Sequence, residues 1–165
     1  MLQSSKGIKM DLHIKGGSKS QKKYARDIIE FCAEKLMSKR LVNNLTIKLN
    51  FVKMYEKHKQ IGNCIWEDDP YRPREFLIEI DPTVRLRRVL ESICHEMVHV
   101  KQFAKGEMRD LSGAEKVSWN GQRYDLSADE YFDRPWEIEA HGRELGLFIR
   151  WAEKNKLGHL RWTHD

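Results

Sequence analysis

His95-Glu96-Met97-Val98-His99 is the feature that most restricts this chain. On an α-helix, residues i and i+4 sit one above the other on one face, so two imidazoles at that spacing can close on one metal ion. Glu96 follows His95 at about 100° round the helix. That offset keeps its carboxylate out of the coordination sphere but beside the open position, where a bound water would sit. Two histidines seldom hold a catalytic zinc alone. The motif therefore demands a helix through 95–99 and a second segment that brings a third ligand to it.

The surrounding sequence supplies both. A helix is predicted over 83–104, closed by Gly106, with Leu86, Val89, Leu90, Ile93, Met97, Val100 and Ala104 as one apolar stripe. His95 and His99 fall nearly opposite that stripe, with Arg88, Ser92 and Gln102 as neighbours, so they are not ordinary core histidines. Cys94 points about 100° away from His95 and reads as packing. A last long helix is predicted over 135–155, with Asp133 or Arg134 as cap and Pro135 in its first turn. It offers Glu137, Glu139 and His141. Glu137 and His141 share a face, Glu139 points away from both, and a first-turn carboxylate suits the helix N-terminus. Glu137 is the expected third ligand, with Glu139 and His141 as alternatives, and a plain charged face beside Arg143 and Glu144 as the bland reading. With Glu137 on the metal, His141 lies one turn on and is placed to orient His95 or His99.

Elsewhere, period-two alternation predicts strands over 8–14 and 45–52, with shorter ones over 61–66 and 76–80. Ser18 or Ser20 caps a helix expected to run to Arg40, and Asn120-Gly121 between aromatics predicts a hairpin. As a sheet edge beside the metal, the 76–80 strand would pair with an extended substrate; as an internal core strand it would not. Residues 1–165 are expected to form one domain, with 1–7 and 156–165 as loose tails.

Composition narrows the setting. Apolar residues are 40% and charged residues 33%, a globular balance, and no apolar run approaches the length of a membrane span. The N-terminus lacks the pattern of a signal peptide. Cys32, Cys64 and Cys94 form no CxxC pair; they fit a reduced, cytoplasmic protein and exclude a zinc ribbon. The net charge of +5 and pI near 9.1 admit a nucleic-acid partner, but the basic clusters are short and carry no interleaved aromatics.

Two imidazoles, one carboxylate and a water make zinc a Lewis acid with an acidified water, and Glu96 is placed as its general base. That set points to hydrolysis of a peptide or other amide bond. Tyr124, Tyr131, Arg134 and Arg143 are candidate donors to the oxyanion.

The segment Pro135-Trp136-Glu137-Ile138-Glu139-Ala140-His141 resembles the Glu-x-x-Ala-Asp or Glu-x-x-Ala-Asn pattern that follows His-Glu-x-x-His in gluzincin-type zincin metallopeptidases. Over residues 75–145 the chain is similar to the SprT-like metallopeptidases and to small phage-encoded and bacterial metallopeptidases. The resemblance implies an α+β, zincin-like minimal domain. In it a small mixed or antiparallel sheet packs on an N-terminal helix and the motif helix, and a later helix gives the third ligand. It implies Zn²⁺ held by His95, His99 and Glu137, Glu96 as base, and endopeptidase activity on a protein or peptide substrate. A DNA-associated SprT-like protease and a non-catalytic zinc-binding interaction protein are the competing expectations. His141 departs from the Asp or Asn of many relatives, the zinc ribbon is missing, and Gln102 and Lys105 stand where a metzincin would continue its motif.

Overall fold

Alternating side chains build one sheet with a single buried face. Four strands, β1 (Asp11–Lys15), β2 (Thr46–Phe51), β3 (Gly62–Trp66) and β4 (Glu75–Ile80), lie in the order β1-β2-β4-β3. The computed structural model describes residues 7–113 and 115–165, so most of the tail expected over 1–7 lies outside the described residues. β1, β2 and β4 are parallel, and β3 is antiparallel to β4. The register sets Ile47 against Phe76 and Leu49 against Ile78, and these side chains with Ile80 form one fully buried layer. One short antiparallel edge on a parallel sheet makes this a mixed sheet. It also decides between the two alternatives for the 76–80 strand: that strand is internal, and the edge belongs to β3.

The helices cover the buried face. In α1 (Lys19–Leu36), Ser18 and Gln21 cap each other's backbone in a capping box, and Ala25, Ile28, Ile29, Cys32 and Leu36 face the core. The helix stops at Leu36 rather than Arg40 because Ser38 caps a separate turn, α2 (Lys39–Val42). A further short helix, α3 (Tyr55–His58), follows β2. The motif helix α4 (Leu86–Ala104) begins three residues later than predicted and is buried almost all round from Val89 on. Its apolar stripe meets α1 and the sheet. Its polar side, which periodicity alone reads as outward, lies beneath α5 (Pro135–Lys154).

Between these helices, β5 (Met108–Asp110), β6 (Lys116–Trp119) and β7 (Gln122–Asp125) form an antiparallel sheet. Its hairpin turns at Asn120 and Gly121, both at positive φ as a type I′ turn requires. Trp119 and Tyr124 pack on Trp136 at the start of α5. Residues 156–165 are not a loose tail: they fold back through a 3₁₀ turn at Arg161–Thr163. The Trp162 ring lies 5.1 Å from Tyr24, and Arg87 donates to the Thr163 carbonyl at 2.9 Å. Among the described residues, no helix is long and apolar enough to cross a membrane.

Asp81, directly after β4, ties the lead-in of α4 to the rest of the fold. It accepts from the backbone N–H groups of Met54 and Tyr55, each at 2.7 Å, and from the Thr83 N–H and hydroxyl. Burial pushes its carboxyl up, but the Thr83 hydroxyl and the three backbone donors outweigh burial and hold it at about 2, below the ordinary 3.8. A depressed folded-state value contributes stability above the unfolded value and loses it as pH falls toward 2. Asp81→Asn is therefore expected to destabilise by about 2 kcal/mol at pH 7. In urea unfolding the gap between variant and wild type should narrow steadily from pH 5 to pH 2.

Candidate metal centre

Two helices supply every group that converges here. On α4, His95 and His99 stack one turn apart with their rings nearly perpendicular and centroids 4.8 Å apart. Their Nε2 atoms stand 3.1 Å from each other. On α5, Arg134 holds the extended conformation that a following proline imposes, Pro135 opens the helix, and Glu137 falls in its first turn. Its Oε2 reaches to 3.3 Å from His95 Nε2 and 3.5 Å from His99 Nε2. All three side chains are buried.

The other ring nitrogens explain why these atoms converge. His95 Nδ1 meets a Glu144 carboxylate oxygen at 2.7 Å, and His99 Nδ1 meets the Gln102 amide oxygen at 2.8 Å. Both partners are acceptors, so both Nδ1 atoms carry a proton, and a ring that becomes neutral to take a metal turns a bare Nε2 inward. Two nitrogen lone pairs and a carboxylate oxygen then face one point, an arrangement that a cation relieves. Around a tetrahedral zinc, with bonds of about 2.0–2.1 Å, ligand atoms stand roughly 3.3 Å apart. The separations of 3.1, 3.3 and 3.5 Å fit that edge length, and the nitrogen and oxygen donors are those zinc takes.

The electrostatics agree. Burial pushes the His95 imidazolium down, but hydrogen bonds to Glu137 and Glu144 and the charge of Glu96 raise it to about 9. Burial likewise opposes His99, and Glu137 and Glu96 raise it. Burial lifts the Glu137 carboxyl, yet His95, His99 and the Tyr131 hydroxyl hold it well below the carboxylate range. Without an ion, the protons do the work of a cation.

Glu96 is buried beside this point and does not join the triad. Burial raises its carboxyl, His99 and His95 oppose that, and Glu137 and Glu144 add to it. The backbone of Gly62 on β3 comes so close that a Cβ there would sit 2.6 Å from Glu96 Oε1. Gly62 is thus a glycine for space, since its φ is not in the left-handed region. Gly62→Ala is expected to push the flexible carboxylate aside while the chain still folds. Its zinc content and melting temperature should match wild type, and any activity that depends on Glu96 should drop about 10- to 100-fold in kcat.

Two clefts of about 270 and 180 Å³ flank Glu96 and share Gln60, Gly62, His95 and Tyr131 in their walls. Lys59, Arg88, Ser92, His141 and Glu144 line the first; Cys64, Phe103, Met108 and Trp136 line the second. Together they form a groove along the open edge of β3.

Several expected contributors stand elsewhere. Glu139 pairs with Lys101 and Arg143 and does not reach the triad. His141 does not orient His95 or His99: its ring covers that of His95 at 4.5 Å, and its Nδ1 lies 3.4 Å from Glu144. With His95 and Glu144 it forms a second cluster of donor groups, but there His95 Nδ1 and the Glu144 carboxylate are already bonded to each other. The orienting partners are Glu144 and Gln102. Glu144 lies seven residues after Glu137 on the same helical face, the one sequence signal that pointed to it. Of the four oxyanion candidates only Tyr131 is present, donating to Glu137 Oε2 at 2.6 Å. Tyr124 stacks on Trp136, Arg134 donates to the carbonyls of Leu126 and Asp129, and Arg143 faces Glu139. Cys94 is buried against Cys32.

Compared with protein-family models, curated proteins and solved structures, the chain matches none. The geometry itself defines the centre: a zincin-like His-Glu-x-x-His metal site completed by a glutamate from the following long helix, an arrangement consistent with a gluzincin-like metallopeptidase.

Proposed function

We propose that the protein is a zinc-dependent endopeptidase that cleaves extended polypeptide laid along β3. One observation carries this reading. A three-atom metal cradle, a buried carboxylate outside it and an open strand edge meet at one point. Zinc bound there supplies a Lewis acid for a carbonyl oxygen and acidifies a water.

The chain's own residues do the rest. Glu96 takes a proton on the side facing the clefts and returns it to the departing amine, work for which a burial-raised carboxyl is suited. Glu144 and Gln102 keep both imidazoles in the tautomer that turns Nε2 inward. The Tyr131 hydroxyl stands on the rim of both clefts, where it can swing from Glu137 to a carbonyl oxygen that gains charge.

Strand pairing supports an extended substrate. Asp81 donates to Ile61 O and Glu67 donates to Glu75 O, so residues 61, 63, 65 and 67 bond toward β4. By antiparallel alternation, Gly62, Cys64 and Trp66 turn their backbone groups to the other edge, which no described strand covers. A peptide pairing there would cross Glu96, bound mainly through its main chain. The three free thiols support a reducing, cytoplasmic setting.

The test is hydrolysis of an unfolded protein by the zinc-loaded chain, with product ends read by mass spectrometry. Internal cuts that disappear with a chelator and return with zinc support the reading. A zinc-loaded protein that cuts no peptide or amide overturns it.

A further inference from the structure

His95 and His99 are oriented by different chemistry. Glu144 offers His95 a carboxylate, whose two oxygens both accept. Gln102 offers His99 an amide, and an amide has a wrong way round. Flipped, it would present Nε2 to His99 Nδ1, make that nitrogen the acceptor and move the ring proton to Nε2, which faces Glu137. A fully buried glutamine in this position needs something behind it that fixes its sense.

We propose that Glu139, held by Lys101, is a positioning residue that locks the Gln102 amide and thereby keeps the ring proton of His99 on Nδ1, leaving Nε2 bare toward the metal. Gln102 Nε2 donates to the Trp136 carbonyl at 2.9 Å and to Glu139 Oε2 at 3.2 Å. An ionised carboxylate only accepts, so a flipped amide would set oxygen against two acceptors. Glu139 is fixed in turn. Its other oxygen pairs with Lys101, Arg143 Nε lies 3.1 Å away, and Lys101 is buried and also meets Glu107 at 2.7 Å. The chain Glu107–Lys101–Glu139–Gln102–His99 thus joins the two helices of the site, and each link dictates the sense of the next. Lys101 and Gln102 follow His99 by two and three residues, and Glu139 follows Glu137 by two. The lock is therefore written beside the ligands on both helices.

The inference rests on the zinc reading, and the experiment separates the two. Zinc affinity is measured by competition with a chromophoric chelator for wild type, Glu139→Ala and Glu139→Gln. In the zinc-loaded proteins, exchange of the His99 Nδ1–H with water is followed by ¹H–¹⁵N NMR. Glu139→Ala is expected to bind zinc 10- to 100-fold more weakly, as loss of an outer hydrogen-bond partner does, with faster exchange of that proton. Glu139→Gln has a single acceptor oxygen, which Lys101 and Arg143 claim, so its NH2 group turns to Gln102 and the variant should bind zinc about as weakly as the alanine. Unchanged affinity and exchange in Glu139→Ala would overturn the lock. So would a Glu139→Gln variant that stays within about threefold of wild type, because the sense of the Gln102 amide would then not depend on an acceptor at residue 139. If Glu139→Ala does not fold, Glu139→Gln decides by the same threefold margin. A wild-type chain that binds no zinc overturns the metal reading itself.

Discussion

Glu96→Gln is expected to keep its zinc and lose its hydrolysis. The amide has the shape of the carboxylate but cannot take a proton at neutral pH. A positioned general base contributes about 10²- to 10⁴-fold, and kcat should fall by that factor. The fold should not suffer. Burial and the carboxylates of Glu137 and Glu144 both raise Glu96, so a neutral side chain there relieves like-charge repulsion. Metal analysis and thermal melts beside the peptidase assay check all three points. Loss of zinc in Glu96→Gln would make Glu96 a ligand, and retained turnover would mean that another group takes the proton.

His99→Ala should act on the other half of the machinery. It removes one of three donor atoms and strands the Gln102 amide oxygen in the core. Zinc affinity should fall by more than the 10- to 100-fold that follows loss of an outer partner, and activity should vanish at ordinary zinc concentrations. Stability should fall too, because a buried acceptor loses its donor at a cost of about 1–3 kcal/mol. Full zinc content in purified His99→Ala would remove the central claim. The two variants are complementary: one separates chemistry from binding, the other shows that chemistry needs binding.

The parts of the site that follow helical periodicity were legible in the sequence. His95 and His99 share a face by spacing alone, Pro135 marks the start of the helix, and Glu137 sits where its dipole favours a carboxylate. What periodicity cannot say is which element will cover a face. The polar side of α4 looks solvent-directed when that helix is taken alone, and only α5 packing across it makes the side interior. The same blindness explains the 76–80 strand. Its alternation shows a half-buried strand, but whether it lies at the edge depends on β3, which precedes it in the chain and is paired on one side only. Spacing alone favours His141 as orienting partner because it is one turn from Glu137. Glu144 is nearly two turns away and wins because its carboxylate reaches His95 Nδ1. The closing segment 156–165 is polar in composition, so nothing in its pattern announces that Trp162 will seat on Tyr24.

The hydrogen bonds behind both imidazoles have a consequence for how this protein acquires its ion. In a zinc finger the ligands have no fixed places until the metal gathers them, so metallation and folding are one event. Here the rings are tethered through Nδ1 to Glu144 and Gln102, and Glu137 is anchored by Tyr131. The receptacle is complete as soon as α4 and α5 have docked. The ion is a passenger that boards a finished vehicle, and little of its binding energy goes into ordering the chain.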